Sequence, residues 1–146
     1  MDNAINDLLD ALIPELGSLL SDMRLWMGVF MVIGPVLLLA FGAYYYFAPP
    51  KEANHKAGYR TYFGMGSIKA WHYTQRLAGL VWGIAGIAGA VAAIIGIILM
   101  ATRDPADAVM PGLVILIIQA VAALVGFGFI EISVAMHFDA DGKIRK

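Results

Sequence analysis

Glu131 is the one charged residue between Val109 and Ala135. A carboxylate in such a run can carry a proton, hold a cation or meet a basic group, and each role requires a partner or a proton, because charge in hydrocarbon is costly. Arg76 falls toward the same end of its own apolar segment, so the placement predicts a Glu131–Arg76 ion pair, with Gln75 or a loop tyrosine adding hydrogen bonds. Such a pair could serve a proton or ligand, or only fix helix register. Gln119, near the middle of the run, is expected to bond a neighbouring helix. His55, His72 and His137 fall on one side of the chain, but their spacing matches no metal-ligand pattern and there is no cysteine to support one. No nucleophile stands beside a base, and no glycine-rich phosphate loop or carboxylate pair occurs, so neither catalysis nor a cofactor or metal is expected.

The elements that position these residues follow from composition. The 146 residues are 60% hydrophobic, with a mean hydropathy of +0.75, above the roughly 45–50% apolar content of soluble domains. A hydrocarbon layer needs about 20 apolar helical residues to cross it. Three runs meet that length, so an all-α membrane protein is expected, with spans near residues 25–47, 70–100 and 109–135 and a tail over 136–146. Gly34-Pro35 predicts a bend in the first span, and Ser67 is the natural N-cap of the second.

Ahead of the first span, residues 2–22 place Ile5, Leu8, Leu9, Leu12, Ile13, Leu16, Leu19 and Leu20 at helical spacing among Asp2, Asp7, Asp10, Glu15 and Asp22. The pattern predicts a separate amphipathic helix, broken near Pro14 and Gly17, lying on the membrane surface or against a partner. The start Met1-Asp2-Asn3 lacks a basic leader, so the first span is expected to remain in the mature chain.

Orientation follows from basic residues. Lys51, Lys56, Arg60, Lys69, Arg76, Lys143, Arg145 and Lys146 fall on one side and Arg24 and Arg103 on the other. The bias predicts a cytoplasmic first loop and C-terminus and an external N-terminus in a plasma membrane. A net charge of −1 with most bases flanking spans speaks against nucleic acid as a partner.

On the second span, Gly79, Gly83, Gly86, Ala90 and Ala93 share a stripe, with Gly79 and Gly83 forming a GxxxG match. Close packing on the chain's own helices, or on a second copy or foreign subunit, would use it. Continued downward, the stripe reaches His72, Gln75 and Arg76, flanked by Trp71 and Tyr73 as interfacial aromatics.

The segment Gly58-Tyr59-Arg60-Thr61, then Met65-Gly66-Ser67, Trp71 and Gln75-Arg76-Leu77-Ala78-Gly79 resembles the SdpI family of bacterial membrane proteins, here as a short, single-half member. Thr74 stands at that motif's small position and Gln75 at its Asn or His position. The resemblance implies a noncatalytic protein of the bacterial plasma membrane that gives immunity to a membrane-active peptide, with lipid and that peptide as partners. The motif makes physical sense as a staple: Gly58 permits a tight turn, Arg60 reaches carbonyls or lipid phosphate, and Thr61 bonds back to its loop. The acidic N-terminal segment and the small stripe support an alternative, an accessory subunit of a larger respiratory or transport assembly. In that case contact would run through the second helix or the N-terminal helix. A small transporter would need oligomers to enclose a pore.

Overall fold

The structure, a computed structural model, describes residues 2–53 and 56–145; for residues 2–11 and Pro105 only the backbone is described. His55 and Lys146 lie outside the described residues. Three long α-helices, α1 (Asp2–Phe47), α2 (Ile68–Ala101) and α3 (Pro105–His137), make up most of the chain, with a short 3-10 turn at Phe63–Met65. All three are long and apolar enough to cross a membrane. The chain is therefore a multi-pass membrane protein.

The separate amphipathic N-terminal helix is not there. α1 is a single helix of 46 residues that contains both Pro14 and Pro35, and from Leu12 onward it is apolar enough to count as one long span candidate. The two proline positions each remove one helix donor, but the turns on either side keep their own bonds, so the helix continues through both prolines and through the polar residues Ser21, Asp22 and Arg24.

α1 and α2 run antiparallel at very close range. A methyl group added at Gly79 would sit 2.7 Å from the Tyr46 nitrogen, one at Gly42 would sit 2.6 Å from the Gly83 nitrogen, and one at Gly86 would sit 2.7 Å from Leu39 Cγ. The small stripe thus packs against the chain's own first helix. In lipid, where apolar burial gives little drive, such close contact is what holds helices together.

Buried side chains gather at the two ends. At one end Ala70, Ala78, Trp82, Ile130, Val134 and Phe138 form a cluster edged by Tyr45, Tyr59 and Tyr73. At the other, Met27, Met31, Ala93, Met100 and Ala108 form a second, methionine-rich cluster. Flexible thioethers fill the irregular gap left where α1 passes the α2–α3 turn.

Ser67 caps α2 as expected, its hydroxyl accepting from the Ala70 N–H at 3.2 Å. The tail is not a free strand of chain. Phe138 and Ile144 form an antiparallel bridge, closed by a turn in which Asp139 Oδ1 accepts from the Lys143 N–H at 2.7 Å and Gly142 adopts φ +70°.

Candidate functional site: a loop clamped onto the second helix

Gln75 is fully buried although it is an amide on a membrane helix. Its Oε1 accepts from the Tyr59 N–H at 2.9 Å, and its Nε2 donates to the Tyr59 carbonyl at 2.7 Å. One side chain thereby satisfies both polar groups of a loop residue, as a neighbouring strand would, in a place where unpaired backbone is expensive.

One turn earlier Trp71 is also fully buried, and its indole N–H donates to the Pro50 carbonyl at 2.7 Å. Gly58 lies flat on that indole: its φ is +101°, and a methyl group there would fall 2.6 Å from two ring carbons. Both the backbone conformation and the space call for glycine. Trp71 is thus a floor for the loop, not the headgroup-level anchor that its position suggested.

Thr61 turns the chain next. Its Oγ1 accepts from the Gly64 N–H at 2.8 Å, so the motif threonine does bond back to its loop. Thr74, fully buried beside it, donates to the Ala70 carbonyl at 2.8 Å. Gly64 fits between the two hydroxyls with no room for a side chain.

The tail completes the clamp. Ser67 Oγ donates to the Gly142 carbonyl at 2.7 Å, Arg145 Nε donates to the Phe138 carbonyl at 3.0 Å, and its guanidinium lies 5.5 Å from the Phe63 ring centre. Tyr73 stacks on His137 with ring centres 5.0 Å apart. This docking was missed in the sequence, although Asp139-Ala140-Asp141-Gly142 carries a turn signature that could have indicated it.

The expected Glu131–Arg76 pair does not form. Arg76 is exposed, and among the described residues the only ion pair joins Lys143 to Asp141, at 3.6 Å. Helical phase explains the miss: the residues of α2 that face inward are Trp71, Thr74, Gln75 and Ala78, so Arg76 and His72 point away from the seam that was expected to contain them. Glu131 is half-buried in α3. Its charge acts instead on Tyr59, whose hydroxyl is pushed well above the usual tyrosine range, first by burial and then by Glu131. Arg60 is exposed at the loop surface.

Tyr59 is the hinge between the clamp and the membrane. Its ring lies 6.0 Å from that of Tyr45, 6.2 Å from that of Trp82 and 6.2 Å from that of Phe127, and its buried hydroxyl has no hydrogen-bond partner among the described residues. With Leu38 and Phe41 it lines a small hollow of about 230 Å³.

The same Leu38 and Phe41 border a larger cleft of about 490 Å³ among the three helices, reaching Pro35 and Gln119. Gln119 does bond across helices: its Nε2 donates to the Gly89 carbonyl at 2.9 Å and the Met31 carbonyl at 3.2 Å. Met31 is the residue whose helical donor is removed by Pro35, four positions on. Gln119 supplies the missing donor.

The family model for SdpI/YfhL proteins matches residues 51–130, the stretch from the clamped loop through most of α3. The chain belongs to the SdpI/YfhL family. The matched region holds Gly58, Thr61, Trp71, Gln75 and Gly79, so the family match covers the loop-to-α2 joint and the α2 face that packs on α1, while Pro50 and the docked tail lie outside it. No curated protein and no solved structure matches the chain.

Within this family member the motif residues are brought together unevenly. Gly58, Thr61, Trp71 and Gln75 build one joint, Gly79 sets the closeness of α1 and α2, and Gly83 lends its backbone to Gly42 while having open space beside its own Cα. Arg76 and Glu131 stand apart from the joint. The side-chain polar groups of Thr61, Trp71 and Gln75 bond to backbone, so the joint holds the loop on α2.

Proposed function

We propose that this SdpI/YfhL family member is a noncatalytic immunity or envelope-stress protein of the bacterial plasma membrane, acting by binding a membrane-active peptide within the bilayer. The observation that carries this reading is the cleft among the three helices. It is apolar over Leu37, Leu38, Phe41, Leu116 and Ile118, it is about 490 Å³ in volume, and it has a single amide, Gln119, at its wall. An apolar helix with one polar group fits such a surface, and small residues on the cleft wall, Gly34, Ala85, Ala88 and Ala92, allow close approach.

Orientation supports the same assignment. The clamped loop and the tail meet at one end through Ser67 and Gly142, gathering most of the lysines and arginines there, while Arg24 lies beside the end of α2 at the other. By the positive-inside rule the clamp is cytoplasmic and the N-terminus external.

The test is deletion of the gene followed by exposure to a panel of membrane-active peptides, with complementation by the natural chain and by Ala88→Trp, which fills the cleft. Heightened sensitivity restored by the natural chain but not by a normally abundant Ala88→Trp protein supports the reading. Unchanged sensitivity across the panel overturns it. The accessory-subunit alternative rests on the exposed N-terminal part of α1 and requires a foreign chain against it.

A further inference from the structure

Glu131 has no counter-charge within the described residues. It is half-buried on α3, and it makes neither an ion pair nor a hydrogen bond there, the one ion pair being that of Lys143 with Asp141. Its depth makes this costly. Tyr73 of α2 stacks on His137 at the end of α3, and Glu131 lies nearly two turns further back, about 9 Å closer to the bilayer centre at 1.5 Å per residue. A carboxylate at that depth calls for a basic partner, a proton or water. Arg76 does not serve, being exposed and off the inward face of α2.

Other unsatisfied groups gather at the same place. Phe127, one turn before Glu131 on the same face of α3, has its ring 6.2 Å from that of Tyr59. The charge of Glu131 acts on the Tyr59 hydroxyl, which is buried and has no hydrogen-bond partner among the described residues. Tyr59 also lines the hollow of about 230 Å³, with Phe41, Tyr45 and Trp82. A carboxylate, a hydroxyl oxygen and aromatic walls are the groups that receive an organic cation. The first supplies charge, the second accepts an N–H, and ring faces attract the positive end while packing on its apolar stem.

The hollow opens toward the cleft already described. Leu38 and Phe41 line both. On α3, Gln119, Ala123, Phe127 and Glu131 follow at four-residue steps, which makes them one ridge of the helix. Gln119 and Ala123 belong to the cleft wall, so the ridge leads from the cleft to Glu131 over about 18 Å.

We propose that Glu131 and the Tyr59 hydroxyl form a cation-binding end of the cleft, where a lysine or arginine of the bound membrane-active peptide is held. The apolar stretch of the peptide lies along Gln119 and Ala123, and its basic side chain reaches the carboxylate from the cytoplasmic end. The assignment rests on the peptide-binding reading and adds to it the charge that the peptide must carry.

The test uses the full chain in phosphatidylcholine vesicles and two dansyl-labelled peptides. Each is a leucine-alanine helix of about 20 residues, with either lysine or norleucine placed about six residues from one end. Energy transfer from the tryptophans of the chain reads binding. The natural chain should bind the lysine peptide several-fold more tightly than the norleucine peptide. Glu131→Gln should bring the two affinities together, Tyr59→Phe should narrow the gap, and Glu131→Lys should favour a third peptide with glutamate in that place. A preference for lysine that survives Glu131→Gln or Ala88→Trp would overturn the proposal. Equal binding of both peptides by the natural chain would overturn it and leave the cleft as a peptide site, whereas binding of neither would overturn both readings.

Discussion

The side-chain amide of Gln75 makes both of its hydrogen bonds to the single residue Tyr59, accepting from its N–H at 2.9 Å and donating to its carbonyl at 2.7 Å. The two residues are 16 positions apart, and the chain between them is thereby closed into a loop.

Gln75→Leu keeps the volume and removes both bonds, leaving two buried backbone groups unpaired. The expected loss is about 2–4 kcal/mol of stability, read as a lower unfolding midpoint in detergent. Gln75→Glu retains the acceptor and loses the donor, so its midpoint should fall between the two. Equal midpoints for all three proteins would show that the pairing contributes nothing.

Glycines on the α1–α2 contact should differ sharply although they look alike in sequence. A methyl at Gly42 or Gly79 meets backbone at 2.6 Å and 2.7 Å, whereas one at Gly83 meets nothing within 4 Å. Gly42→Ala and Gly79→Ala should each lower stability by about 1–3 kcal/mol through forced displacement of the helices. Gly83→Ala should be neutral, and thermal melts of the three variants would show the contrast.

Gln119 and Pro35 should be energetically coupled through the Met31 carbonyl. Gln119→Leu should cost about 1–2 kcal/mol in the natural background. In a Pro35→Ala background, residue 35 has its own N–H to give to Met31, so the same change should cost less. A double-mutant cycle measured by unfolding in detergent gives the difference, and strict additivity would disprove the link.

Tyr59 should report on alkaline pH. Its hydroxyl is held above the ordinary value of 10.0, by burial first and Glu131 second. The unfolded chain therefore releases this proton at a lower pH than the folded one. The folded state binds more protons there, so stability is intact below about pH 10 and falls as pH rises past it. Tyr59→Phe should flatten that alkaline decline and, since the hydroxyl has no partner among the described residues, should not lower the midpoint at neutral pH.

The membrane architecture was legible because hydropathy and length are properties of each segment alone: all three spans, the Ser67 cap and the Gln119 cross-helix bond follow from local pattern. What failed depended on phase and continuity. Arg76 was assigned to the seam with His72 and Gln75 as the continuation of the small-residue stripe, yet one residue on a helix is 100° of rotation, and the inward face runs through Trp71, Thr74, Gln75 and Ala78. Pro14 was expected to mark a break, but a proline removes one donor without ending the apolar run around it. Trp71 has the composition of an interface anchor and became buried because Gly58 lets the loop backbone lie on it, a contact between residues that no periodicity connects.

The bond from Gln119 to the Met31 carbonyl spans 88 residues of sequence, and it carries a consequence for biosynthesis. The ribosome delivers α1 to the bilayer long before Gln119 is made, so the first helix arrives with one bare carbonyl in hydrocarbon beside Pro35. In the finished chain the last helix covers it, through Gln119. A nascent chain halted before α3 lacks Gln119, and in a truncated product the Met31 carbonyl goes without this donor.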